Sequence, residues 1–154
     1  MNRFRRNDDG FVLVVAALML VTLMAFSALA VDLGGLYNER RQDQSGADMG
    51  ALAGVRELPT TSVAAAEAIE YAEKTLGVAP GSLDFNSCDG DPGALDNQVS
   101  GYDCLSVNGA GNRLRVRLPD QQYTTFFAHL VGLDDFTHSA AAEAELVGAG
   151  FGNV

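Results

Sequence analysis

Tryptophan is absent from the 154 residues, cysteine occurs twice and proline four times. Alanine and glycine are abundant instead, with 17 glycines. Such a chain packs backbones closely rather than filling space with rings. Catalytic motifs are missing too: no G-x-S-x-G, no H-E-x-x-H, no phosphate-binding loop and no Cys/His pair at a credible spacing. His129, in a Phe-rich stretch, reads as a packing or surface residue. An enzyme is not expected, and no cofactor or metal is implied. Basic charge is scarce. The net charge is −10, and Arg3, Arg5 and Arg6 hold three of the ten basic residues. From Asp32 onward seven basic residues face eighteen acidic ones. That excludes nucleic acid and an anionic lipid surface as partners of this part.

One long stretch carries no charge at all. Phe11–Val31 reads FVLVVAALMLVTLMAFSALAV. At ~1.5 Å per residue it matches the ~30 Å hydrocarbon layer of a bilayer. Its only polar residues are Thr22 and Ser27, whose hydroxyls can bond back to the preceding helical turn. The upstream arginines predict a single-pass helix in the cell (plasma or inner) membrane, N-terminus cytoplasmic, with everything after Asp32 outside. The same features, with Ala28-Leu29-Ala30, also describe a signal peptide cleaved after Ala30, which would release a secreted binding domain. The run exceeds the usual ~7–15-residue signal core, which favours an anchor. Gly10-Phe11 looks like a type IV prepilin cleavage point, but the fifth mature position is Val15 rather than the Glu such prepilins carry.

The expected organisation is a cytoplasmic tail (1–10), a spanning helix (11–31), its extension outside (32–58), a small α+β head (59–147) and a flexible end (148–154). No proline interrupts 32–58, so one helix is expected to leave the bilayer and continue. Asp32 would cap a new helix or face water. Gly46, Gly50 and Gly54 recur every fourth residue beside Ala47, Ala51 and Val55. A helical glycine costs about 1 kcal/mol against alanine, so close packing on this face is needed to offset three of them. The partner would be the chain's own sheet, a helix of a neighbouring subunit, or both in an assembly.

This block resembles the TadG-like and TadE-class pilus-assembly proteins of the tight-adherence (Flp/Tad) system. The resemblance lies in RNDDG before the apolar run, then Ala30-Val31-Asp32-Leu33-Gly34-Gly35-Leu36-Tyr37, Arg40-Arg41-Gln42, and Ala47-Asp48-Met49-Gly50-Ala51-Leu52-Ala53-Gly54. The stretch RVRLPDQQYTTFFAHLVGLDDFTHSAAAEAEL also resembles the family's usual domain ending. The resemblance implies a pilin-like, membrane-anchored assembly protein that works through helix packing. Its partners would be the lipid bilayer and other pilus-assembly or pilin subunits, with homo-oligomers possible. Longer TadG proteins carry a von Willebrand type A domain with an Asp-x-Ser-x-Ser metal site. That motif is missing here, so a metal-dependent adhesin is not implied.

Pro59 should end the first helix, Thr60-Thr61-Ser62 should cap a second over Val63–Leu76, and Gly77 should stop it. Ala65, Ile69, Ala72 and Leu76 share its apolar face, with Glu67, Glu70, Glu73 and Lys74 elsewhere and Glu70–Lys74 as an i,i+4 pair. Ser82–Phe85 and Asp103–Val107 read as strands around a loop rich in Gly, Asp and Pro. Cys88 and Cys104 read as a disulfide in an oxidising compartment, free thiols or half a metal site being the alternatives. Asp89, Asp91, Asp96 and Asp103 raise a calcium site, but Asp89-Gly90-Asp91 lacks the later Gly and Glu of a calcium loop. Asn108–Asn112 is a turn. Arg113–Leu118 alternates perfectly, with Leu114, Val116 and Leu118 inward. Its arginines would form an anion-binding stripe or pair with Glu143 and Glu145 on a Thr137–Leu146 strand, an alanine-rich run that could also be helical. Between them, Thr124 or Thr125 would cap a short helix whose Phe126, Phe127, Leu130, Val131 and Leu133 cover one end of the sheet.

Overall fold

The computed structural model describes residues 9–88, 91–132 and 135–147. Asp89, Leu133 and the two termini, including the expected flexible end, lie outside them. The fold is α+β, as the sequence pattern implies: one long N-terminal helix, a second helix and a small antiparallel sheet.

Helix α1 runs unbroken from Asp9 to Gly54, 46 residues, or about 69 Å at 1.5 Å per residue. It contains the whole apolar run, in which the Thr22 hydroxyl donates to Met19 O and the Ser27 hydroxyl to Leu23 O. A 3-10 turn at Val55–Glu57 closes it off, so the α-helix stops slightly short of residue 58. Helix α2 (Thr61–Leu76) doubles back beside the outer half of α1. Thr60 is its N-cap, though the Thr60 side chain makes no capping bond. Gly77 adopts φ 71°, the left-handed conformation that ends a helix and frees glycine of a Cβ clash.

The sheet has the order β1-β2-β3-β6, all antiparallel, from β1 (Asn97–Val99), β2 (Tyr102–Val107), β3 (Arg113–Arg117) and β6 (Ala141–Glu145). Leu105, Leu114, Val116 and Leu118 are fully buried and form the centre of the core, against the small-residue faces of α1 and α2. On the opposite face, β3 pairs with β6 in the register Arg113↔Glu145 and Arg115↔Glu143. Arg113 Nη2 reaches Glu145 at 2.8 Å and Arg115 Nη1 reaches Glu143 at 3.1 Å. Arg113 and Arg115 are therefore paired across the strands, whereas Arg117 pairs with Asp120 at 2.8 Å. The first two guanidiniums are held more firmly protonated, Arg113 chiefly by its bonds to Glu145, Arg115 chiefly by those to Asp91.

A separate hairpin, β4 (Gln121–Thr124) with β5 (Asp135–His138), departs from the main sheet. The expected Thr137–Leu146 strand is thus two strands, split at Ser139–Ala140, each belonging to a different sheet. Alternation of side chains cannot reveal such a split. Ser82–Phe85 is not a strand but a bend, whose Phe85 is buried and whose carbonyl accepts Cys104 N–H. Strand β1 was hidden in the loop composition. Glu73 does not lie on the polar side of α2 but is buried, its carboxylate accepting the N–H groups of Gly81 and Leu83. Lys74 lies over the Tyr71 ring, 5.6 Å from its centroid.

Candidate functional site: the spine and its arm

Two features of α1 carry the functional geometry: its glycine face and its junction with the β4–β5 hairpin. The glycine face is occupied from within the chain. A Cβ on Gly50 would stand 2.8 Å from the Ala68 carbonyl oxygen. One on Gly54 would meet the Ala64 carbonyl oxygen at 2.6 Å and Leu114 Cδ2 at 2.5 Å. One on Gly46 would meet Leu76 Cγ at 2.9 Å. Ala47 and Ala51 beside them are buried, as is Val55. The glycines thus let the α2 backbone approach α1 closely. The covering element is α2, with β3 touching at Gly54, rather than the sheet alone. This face is not open to a neighbouring subunit. Gln42 Nε2 adds a bond to the last carbonyl of α2, Leu76 O, at 3.2 Å.

The second feature lies where the apolar run ends. Asp32 neither caps a new helix nor faces water: it sits inside α1 and is buried. Its Oδ1 accepts Phe126 N–H at 2.9 Å and its Oδ2 accepts Phe127 N–H at 3.0 Å and Ala128 N–H at 2.7 Å. These are the free amides at the start of a 3-10 turn, Ala128–Val131, so Asp32 does from another element what a capping residue does locally. Thr124 and Thr125 are not the cap residues; Phe127 is, without a side-chain cap of its own. Three residues on, Gly35 leaves room for Tyr123, whose hydroxyl a Cβ there would overlap. Farther along, His138 Nε2 stands 2.8 Å from Asp43 Oδ2, both side chains nearly buried. The pair lacks hydrogen-bond alignment, and His138 Nδ1 has no partner among the described residues. Burial pushes the Asp43 carboxyl up, against the pull of His138.

Asp32, Gly35 and Asp43 thus meet Phe126–Ala128, Tyr123 and His138 in order. The hairpin is an arm laid along α1, its tip at the level of Asp32. Phe126 keeps 76% of its surface exposed and Phe127 44%, so these two do not cover the sheet, while the side chains of Leu130 and Val131 and the whole of Leu133 lie outside the described residues. His129 is also exposed. The arm was not legible in the sequence. The one signal was a lone Asp inside a helix without proline, directly after the apolar run, a position that asks for a partner.

Among the acidic loop residues, Asp91 grips Arg115 with both oxygens, at 2.8 Å to Nε and 3.0 Å to Nη2, and accepts Gly93 N–H. The Arg115 guanidinium holds the Asp91 carboxyl below the usual range. Asp96 accepts Gly109 N–H at 2.7 Å. Cys88 and Cys104 are joined in a disulfide, Cα–Cα 5.0 Å, tying this loop to β2. No cluster of three or more metal-ligating side chains occurs among the described residues. Gly10 and Phe11 lie in the first turn of α1, while Ala28 and Ala30 lie deep inside it. The described residues contain one helix long and apolar enough to cross a membrane.

Residues 10–57 match the family model of TadE/G-like Flp pilus-assembly proteins. Neither the curated proteins nor the solved structures contain a match to the chain.

Proposed function

We propose that this chain, whose residues 10–57 belong to the TadE/G-like Flp pilus-assembly family, is a membrane-anchored, TadG-like protein that assembles through protein–protein contacts of its exported head. The division into tail, span, helical extension and head belongs to this reading, with the N-terminus in the cytoplasm. Lipid holds the span, and pilus-assembly subunits, or further copies of the chain, meet the head. One observation carries it: a single continuous helix is bare and apolar over Phe11–Val31 and then becomes the packed spine of a folded domain. Release after Ala30 would cut that helix two residues before Asp32, whose carboxylate holds the arm. The unbroken helix through Ala28 and Ala30 gives a protease no extended backbone, which favours retention.

The test is removal of the protein from its own host. Loss of Flp pili, restored by the full-length chain, is the expected outcome. Normal piliation would sink the reading. The mass of the mature membrane protein decides the alternative: an N-terminus at Met1 or Phe11 fits the anchor, and one at Val31 fits secretion. Replacing Gly50 with leucine would not isolate a subunit interface, because the Ala68 carbonyl lies where the new side chain would go.

A further inference from the structure

We propose that the tip of the β4–β5 arm is a second lipid contact, with Phe126 and Phe127 seated in the outer leaflet of the bilayer beside α1. This rests on the membrane-anchored reading above. The height of the tip is fixed by Asp32, the first residue beyond the apolar run, through its bonds to the N–H groups of Phe126, Phe127 and Ala128. The backbone at the tip therefore stands level with the last turn of the span. Phe127 and the α1 residues Leu20, Leu23, Met24, Ser27, Ala28 and Val31 line one open, mostly apolar groove of about 570 Å³. The α1 side of that groove belongs to the lipid-facing surface of the span, so the tip continues the same interface. Phe126, 76% exposed, projects from a segment, residues 124–132, that holds no Asp, Glu, Lys or Arg within a strongly acidic part of the chain. Aromatic side chains concentrate at the boundary of a membrane, where one end is apolar and the other wet. The occupant is acyl chain and interface, not an anionic headgroup, since the tip offers no fixed cation. Two lipid contacts on one rigid body set the tilt of the head, which a lone helix leaves free.

The native chain has no tryptophan, so a single introduced one reports its own surroundings. Three full-length variants, Phe126→Trp, Leu20→Trp and Leu52→Trp, are each placed in phosphatidylcholine vesicles with and without brominated acyl chains. Leu20 lies mid-span, and Leu52 is exposed on the part of α1 that packs with the head. Bromine is expected to remove most of the emission of the Leu20→Trp and Phe126→Trp proteins and to leave that of Leu52→Trp. Quenching at Leu20→Trp without quenching at Phe126→Trp overturns the lipid-seated tip while leaving the anchor intact. An unquenched, blue-shifted Phe126→Trp signal that grows with protein-to-lipid ratio also overturns it, in favour of a second copy covering the tip. An unquenched Leu20→Trp defeats the anchor reading itself, and the proposal with it.

Discussion

The two halves of α1 are one helix under two different rules. Before Asp32 the large side chains are bare: Phe11, Leu18 and Phe26 keep 73%, 63% and 71% of their surface. After Asp32 the face toward the fold is stripped to Gly46, Ala47, Gly50, Ala51 and Gly54, and it is closed by α2. In the proposed membrane-anchored reading, bulk suits the first half because lipid fills the gaps between side chains. The second half must admit another backbone, and there a single methyl is too much. The same helix geometry therefore tolerates opposite substitutions on either side of one aspartate.

The contrast is sharpest at Gly54. Gly54→Leu should destabilise the head by about 3 kcal/mol or more, since it overpacks against backbone as well as Leu114. Leu20→Ala, in the bare half, should leave the unfolding of the head unchanged. Guanidinium titration of the full chain in detergent reads both, and equal effects at the two sites would erase the distinction. Cys104→Ser comes next. Opening a loop whose ends are separated by 16 positions should cost about 3 kcal/mol in the chain-entropy model, read by the same titration under oxidising conditions.

Smaller effects probe how the head is tied together. Asp91→Asn should cost about 1–3 kcal/mol, because it weakens a two-pronged, charge-assisted pair with Arg115. The pH dependence has a definite sign. The folded carboxyl of Asp91 is held below its ordinary value, so its contribution is complete above the unfolded pKa of ~3.9 and fades as pH falls through the lower folded value. The Asp91→Asn protein should therefore lose less stability than the native one on acidification through about pH 3. Asp43 opposes this. Its carboxyl is raised in the fold, so stability falls as pH rises from the unfolded to the folded value, and Asp43→Asn should remove that slope. Arg113→Ala breaks a solvent-exposed, water-screened pair and should leave the unfolding transition almost unchanged. Most local of all, Asp32→Asn should speed amide exchange at Phe126, Phe127 and Ala128 while the amides of β2 and β3 stay protected. Unchanged exchange at the tip would mean that Asp32 does not hold the arm.

What was legible in the chain was what repeats along it. Lack of charge over Phe11–Val31 marked the helix able to span a membrane, and strict alternation in Arg113–Leu118 marked a strand and its buried side. The glutamates at 143 and 145 marked its neighbour by charge. The glycine ladder announced a close approach, and Gly77 a helix end. Local pattern could not say which element would fill the glycine face, since α2 and a foreign helix ask for the same small residues. Nor could it show Glu73 turning inward, because a glutamate on a helix looks alike whether water or two amides satisfy it.

The sequence by itself determined a long helix, apolar in its first half and glycine-faced in its second, because hydropathy and helix period are properties of neighbouring residues. Only the tertiary structure decided that this helix carries an arm. The bonds from Asp32 to Phe126–Ala128 join residues more than ninety positions apart, and so does the Asp43–His138 approach. Nothing in the local chemistry of either segment names the other. A buried carboxylate takes whichever free amides the fold brings to it, and the folding of the sheet brings these.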